Sequence, residues 1–185
     1  MAEYNYSLKV VDYVDYYEAP IEEDNYERLT ESLEYYGKVL IAEQREDCTF
    51  FSGVLSSLES LDAIRRNLVC DEGTYPYEWT FSNWPIKTEA DDKEHNREVE
   101  VGCGYRLKLC NSVESPDGGE IYYPIHEESF KIVNMLLGSG EVQIAEQRDN
   151  YTYFEGTVPA LIYLRVLDYI LEQYKYDLTI SNYRY

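Results

Sequence analysis

From Tyr6 to Tyr13 the chain alternates, with Leu8, Val10 and Asp12 on one face and Lys9, Val11 and Tyr13 on the other, a period of two that predicts a strand. Ala19-Pro20 ends the extended stretch. The period then lengthens: Tyr26, Leu29, Leu33 and Tyr36 fall three, four and three apart, predicting a helix over residues 22–36 with Asp24 or Asn25 as cap and Gly37 as stop. Two strands follow, over residues 38–47 and 49–55, carrying Val39, Ile41, Phe50, Phe51 and Val54. Ser56 or Ser57 caps a second helix with Leu58, Leu61, Ile64 and Leu68 on one face. A strand over residues 75–83 then sets Tyr77, Trp79 and Phe81 against Glu78, Thr80 and Ser82, so the order is βαββαβ.

Residues 87–97 are charged, unpatterned and without an aromatic, and read as a linker. Beyond them the order repeats: a strand over 106–113, a turn at Ser115-Pro116-Asp117-Gly118-Gly119, a helix over 127–137, strands over 141–149 and 151–158, a helix over 159–173 and a strand over 174–182. In places the repetition is literal. Ile41-Ala42-Glu43-Gln44-Arg45 recurs as Ile144-Ala145-Glu146-Gln147-Arg148, and Val39, Thr49, Phe51 and Gly53 match Val142, Thr152, Phe154 and Gly156 at the same offset. Pro20-Ile21 and Glu23 match Pro124-Ile125 and Glu127, and Thr80 and Ser82-Asn83 match Thr179 and Ser181-Asn182. The chain thus reads as two diverged copies of a unit of roughly ninety residues. The expected fold is α+β, a tandem duplication of a ferredoxin-like βαββαβ unit, each unit an antiparallel sheet with its helices on one face and the other face uncovered. The expected division is 1–86, a linker 87–97, and 98–185. Ile41 and Ile144 are expected to point inward, Ala42 and Ala145 to lie where something packs closely, and Glu43 and Glu146 to pair with Arg45 and Arg148 or with a loop.

Composition alters this picture in one respect. Among 185 residues there are 36 acidic and 16 basic side chains, a net charge of -20, together with 21 tyrosines. Such a charge bears on partners and solubility rather than on fold. The opening Met1-Ala2-Glu3-Tyr4 has no basic or apolar leader region and no stretch reaches the length of a membrane span, so the cytoplasm of a bacterial host is the expected location, with no membrane contact. Cys48, Cys70, Cys103 and Cys110 show no CxxC spacing and no zinc spacing with His95 and His126, and reduced, partly buried thiols are expected.

Catalytic signatures are missing. Gly102-Cys103-Gly104 lacks the third glycine of a dinucleotide loop, and there is no phosphate loop, GxSxG elbow, HExxH pair or EF-hand loop. The reading is therefore a non-enzyme without cofactor or metal. Direct nucleic-acid binding is disfavoured too, since phosphate contacts would be repulsive and the basic footprint is absent.

What remains is the difference between the copies. Residues 1–86 hold 18 acidic and 6 basic side chains, and residues 98–185 hold 14 and 7. Glu23, Glu27, Glu31 and Glu34 form a row along one flank of the first helix, whereas the second copy has Glu127, Lys131, Met135 and Gly138 there. Like charges one turn apart cost about 0.2–0.5 kcal/mol per pair, so the scaffold does not require the row. Immediately before it lie Asp15, Tyr16, Tyr17, Glu18, Glu22 and Asp24. Carboxylates one turn apart stand about 6 Å apart along the axis, near the reach between successive phosphates of a nucleic-acid strand. These ten residues are the candidate partner-binding site. The second helix of the second copy, residues 160–171, is apolar around most of its circumference and is expected to pack against the first copy or against a second chain, making a homodimer.

In charge, size and architecture the chain resembles the acidic DNA-mimic inhibitors that phages and mobile elements direct against CRISPR effectors and restriction enzymes. The resemblance implies an inhibitor that presents an acidic, tyrosine-studded surface to the basic nucleic-acid channel of its partner. Two other readings stand beside it: an immunity protein or antitoxin that neutralises a basic toxin such as a nuclease, and a duplicated regulatory module holding a small molecule between two sheets.

Overall fold

The computed structural model of the protein describes residues 3–70, 73–83, 103–138, 140–159 and 161–182. The linker expected over residues 87–97 lies outside the described residues. In the first half the chain forms β1 (Tyr4–Val10), β2 (Asp12–Val14), β3 (Tyr17–Ala19), α1 (Glu23–Tyr36), β4 (Gly37–Gln44), β5 (Thr49–Leu55), α2 (Ser60–Arg65), β6 (Val69–Cys70), β7 (Gly73–Thr74) and β8 (Tyr77–Ser82). The second half forms β9 (Cys103–Glu114), β10 (Glu120–Tyr123), α3 (Glu127–Leu137), β11 (Glu141–Gln147), β12 (Thr152–Val158), α4 (Asp168–Leu171) and β13 (Lys175–Ser181). The fold class is α+β, built on antiparallel pairing.

The main sheet runs β4-β5-β1-β8-β13-β9-β12-β11, with β10 paired to the outer part of β9. Each half thus orders its four long strands as last, first, third, second, counting outward from the middle. The halves meet where β8 pairs with β13, with Thr80 opposite Thr179, Ser82 opposite Asp177 and Glu78 opposite Ser181, so the junction reads alike from either side. Asn83 and Asn182 close it, since their Oδ1 atoms accept the backbone N–H of Tyr176 and of Tyr77, each at 2.7 Å. This explains why Ser-Asn is repeated. It also corrects the expectation of separate sheets: unpaired, β8 and β13 would each present a bare backbone edge, and pairing satisfies both. Among the described residues the long strands of both halves thus share one sheet rather than facing each other as two.

Strand alternation puts Tyr6, Leu8 and Val10, Trp79 and Phe81, Tyr105, Leu107 and Leu109, and Leu178 and Ile180 on one face, all buried. The helices cover that face: α1 buries Leu29 and Leu33, α3 buries Val133 and Leu137, and one apolar cluster runs through both halves. Burying each such side chain contributes roughly 1.5–3 kcal/mol. Both first helices dock through a stacked aromatic pair, Tyr26 on Phe51 with ring centres 5.7 Å apart and Phe130 on Phe154 at 5.4 Å.

Local departures from the sequence pattern have identifiable causes. A bulge shifts the register between Val39 and Ile41, and between Val142 and Ile144. Val39 and Ala42 consequently face the core, while Ile41 is 41% exposed and Ile144 joins a small cluster with Cys110, Tyr151 and Tyr153, so neither isoleucine enters the main core. At the bulge the strands approach closely; a Cβ on Gly53 would lie 1.9 Å from the Lys38 carbonyl oxygen and one on Gly156 2.1 Å from that of Glu141, which accounts for the repeated glycine. The helix expected over residues 159–173 is instead a 3-10 turn, Leu161–Leu167, followed by the single turn of α4. It packs on α2 and α3, burying Leu161, Leu164 and Leu167, and the Asp168 carboxylate accepts Ser57 Oγ at 3.1 Å and Leu58 N–H at 3.2 Å from the first half. The second helix of the first half begins at Ser60 with Glu59 at its N-cap, rather than being capped by Ser56 or Ser57, although Ser57 Oγ still accepts the Glu59 N–H at 3.1 Å. The first strand stops at Val10, because the Val11 N–H turns to Pro76 O at 3.0 Å and Val11 packs on Cys48.

Candidate functional site

The repeated pentapeptide is structural on both of its faces. Gln44 Nε2 donates to Ile21 O at 2.8 Å, the Thr49 hydroxyl donates to Gln44 Oε1, and the Ile21 N–H donates to that hydroxyl at 3.0 Å. In the second half Gln147, Thr152 and Ile125 repeat the same three bonds, with 2.8 Å from Gln147 to Ile125 O and 2.9 Å from Ile125 N–H to the threonine. Pro-Ile, Gln and Thr therefore recur because together they hold the entry to the first helix of each half. On the other face Arg45 pairs with Glu43 at 2.9 Å and lies 4.0 Å from the Phe50 ring centre, as Arg148 pairs with Glu146 at 3.3 Å and lies 4.4 Å from that of Tyr153.

That second, helix-free face is electrically self-compensated. Register places Lys9 beside Glu78, Lys108 beside Asp177 and Arg106 beside Glu155, so opposite signs meet across neighbouring strands. Among the described residues, much of the unbalanced negative charge lies on the helices and the loops at strand ends.

On α1 it is concentrated and unpaired. Glu22, Glu23, Asp24, Glu27, Glu31 and Glu34 are all exposed, and among the described residues none of the six carboxylates forms an ion pair. Arg28, the one cation on this helix, turns to Asn25 Oδ1 and to Asp24 O at 3.3 Å. Glu22 is the N-cap and makes no side-chain cap bond; Asn25, expected as a cap, is instead buried in the first turn and donates to Tyr75 Oη at 2.7 Å. Glu23 and Asp24 suit the positive end of the helix, but no cation offsets Glu34 at its other end. In α3 the equivalent flank is quenched, since Glu127 pairs with Lys131 at 2.9 Å.

Asp15, Tyr16, Tyr17 and Glu18 lie on a feature the hydrophobic pattern did not disclose, a hairpin of β2 and β3 that pairs only with itself. Its two turn residues, Asp15 and Tyr16, have φ of 50° and 69°. Tyr16 is fully exposed and Tyr17 is 77% exposed, with Tyr13 and Val14 also exposed beside them. Glu18 reaches Lys9 Nζ at 3.8 Å. Lys9 alternates with the buried Leu8 and Val10, so this contact is on the helix-free side of the sheet. The α1 carboxylates and that of Glu18 therefore lie on opposite sides, and the ten residues form two groups rather than one stripe. Sequence reading also missed Glu46 and Asp47, exposed in the turn beside Cys48 at the foot of the hairpin.

Cys48, Cys103 and Cys110 are buried and unpaired. Burial pushes the Cys103 thiol up to about 12 and that of Cys110 up to about 11, and burial together with the Asp47 carboxylate raises Cys48. These thiols are protonated near neutral pH and poor nucleophiles. Among the described residues no group of three His, Cys, Asp or Glu side chains gathers as a metal site would require, and no helix is long and apolar enough to cross a membrane. No family model, curated protein or solved structure matches the chain.

Proposed function

We propose that the protein is an acidic inhibitor of the DNA-mimic kind, built as a tandem duplication of a ferredoxin-like unit, that occupies the basic nucleic-acid channel of a partner such as a CRISPR effector or restriction enzyme. The strand order and the two matching sets of strand pairings support the duplication. One observation carries the function: six exposed carboxylates gather along α1 and its cap without a counter-charge among the described residues, whereas the equivalent flank of α3 is quenched by Lys131. An acidic surface kept only for solubility would not need its carboxylates gathered on one helix at the cost of repulsion between successive turns. Concentrated unpaired charge is instead what binds a cationic channel, since each contact releases counterions.

The test is capture from a bacterial lysate on immobilised protein, with elution by salt and by duplex DNA. The expected prey is a basic nucleic-acid-binding protein that DNA displaces and that added salt removes steeply. The triple substitution Glu27→Lys, Glu31→Lys, Glu34→Lys should abolish capture and leave folding intact. Capture that is indifferent to salt, to DNA or to these substitutions refutes the proposal.

A further inference from the structure

The two halves build the same feature between their first strand and first helix, but turn it differently. In the second half the outer part of β9 and β10 form an arm whose five-residue turn places its left-handed residue at Gly118, with φ of 83°. In the first half β2 and β3 are closed by two residues, both at positive φ, which is the type I′ turn that strand twist favours. That turn favours glycine at its second position, because there a Cβ crowds the following carbonyl oxygen. The residue found is Tyr16, a bulky aromatic with its ring wholly in solvent. Among the described residues nothing holds this side chain, and the second half shows that the scaffold turns without it.

The base of the hairpin is fixed. Val11 is buried against Cys48 and bonded to Pro76 O at 3.0 Å, and Lys9 holds Glu18. The tip therefore presents Tyr16 and Tyr17 on a short, anchored arm. Between residues 11 and 22 the chain carries Asp12, Asp15, Glu18 and Glu22 and no basic residue. Two exposed phenol rings in a negative field suit guanidinium, which stacks flat on an aromatic face, better than ammonium, which is compact and more tightly hydrated.

We infer that the β2–β3 hairpin is an arginine-reading finger, with Tyr16 and Tyr17 stacking on arginine side chains of the partner protein's cationic surface. This rests on the acidic-inhibitor reading and adds to it an arginine preference carried by the two rings, beyond what carboxylate pairing supplies. Two labelled peptides, deca-arginine and deca-lysine, are titrated against the full chain by fluorescence anisotropy in about 50 mM salt, where exposed charges are weakly screened. The intact protein should bind deca-arginine about four- to twenty-five-fold more tightly than deca-lysine, each of the two stacked rings contributing about two- to five-fold. The double variant Tyr16→Gly, Tyr17→Ser keeps the turn chemistry; it should bring the two affinities together by weakening deca-arginine alone, with its urea midpoint unchanged or raised. The α1 triple-lysine variant should weaken both peptides alike. Equal binding of the two peptides by the intact protein, or an arginine preference that survives in the double variant, overturns the finger and leaves the acidic face standing. Failure of both peptides to bind overturns the acidic-face reading and the finger with it.

Discussion

Within the repeated pentapeptide, Gln44 and Arg45 are adjacent but should differ sharply in what they contribute, and Thr49→Val measures the difference. The Thr49 hydroxyl accepts the Ile21 N–H at 3.0 Å and donates to Gln44 Oε1, and Thr49 and Ile21 are 0% and 3% exposed. Valine has the same branched shape, so the substitution leaves no cavity and preserves strand propensity. The loss is polar: the Ile21 N–H stays buried without a partner, at about 1–3 kcal/mol, and the Gln44 carbonyl loses a bond worth about 1 kcal/mol. The expected destabilisation is about 2–4 kcal/mol, a fall in Tm of roughly 5–15 °C for a chain of this size. Thr152→Val should match it, since its bonds to Ile125 and Gln147 are the same. By contrast Arg45→Gln removes a half-exposed ion pair and a ring contact, together about 1 kcal/mol or less. Urea unfolding followed by tryptophan fluorescence and far-ultraviolet circular dichroism gives the comparison. In a cycle with Gln44→Leu, the threonine substitution should cost about 1 kcal/mol less in the double variant than alone, because the bond to Gln44 is already lost while that to the Ile21 N–H remains. A Thr49→Val cost below about 0.5 kcal/mol, or no larger than that of Arg45→Gln, would refute the clamp as the reason the pentapeptide is repeated.

Three further outcomes follow from the same geometry. Gly53→Ala must move the strand, because its Cβ would meet the Lys38 carbonyl oxygen at 1.9 Å, and should cost more than about 2 kcal/mol in urea unfolding, whereas Gly119→Ala, with open space around it, should be neutral. Asp168→Ala removes the acceptor for Ser57 Oγ and Leu58 N–H and should cost about 1–2 kcal/mol by the same assay, lowering the stability of both halves together if they fold as one unit. Alkaline pH should destabilise the protein: Cys103 and Cys110 are raised from 9.0 to about 12 and about 11, and Tyr176 from 10.0 to about 12, all chiefly by burial. A raised pKa means the folded state holds its proton longer, so this stability is complete below pH 9 and is lost as pH climbs from 9 through 12. Phenolate absorbance should show Tyr4, Tyr6, Tyr77, Tyr105 and Tyr153, all raised by burial, ionising only together with unfolding.

How far the sequence disclosed this molecule depends on whether each feature leaves a periodic trace. The helices over Glu23–Tyr36 and Glu127–Leu137 and the strand Thr49–Leu55 do, because each buries one face continuously. The bulge does not: Val39-Leu40-Ile41-Ala42 is apolar throughout, so nothing in the letters says which two share a face. The β2–β3 hairpin has three residues per strand and, in place of an Asn-Gly turn, Asp15-Tyr16, so both its period and its turn signal were absent. The apolar stretch after Pro159 does promise burial, which occurs, but burial alone does not distinguish an α-helix from a 3-10 turn. The acidic residues were legible one by one. That Glu18 and the α1 row lie on opposite sides of the sheet was not, because it depends on which way Lys9 points.

The junction at Thr80 and Thr179 gives those differences their meaning. A pairing that reads alike from both sides relates the halves by an approximate two-fold axis, as the interface of a symmetric dimer would. Two undiverged halves joined in that way would present two equivalent helix flanks and two equivalent hairpins. The protein instead keeps the clamp, the bulge glycine, the stacked aromatic pair and the asparagine closure in both halves, all of them required to hold the sheet and its helices. It varies the helix flank and the hairpin turn, and each variation in the first half costs local stability: like charges along α1, and a left-handed tyrosine at the tip. Residues that cost local stability where their counterparts do not call for a role beyond the fold, and the proposed cation-binding face supplies one for both kinds.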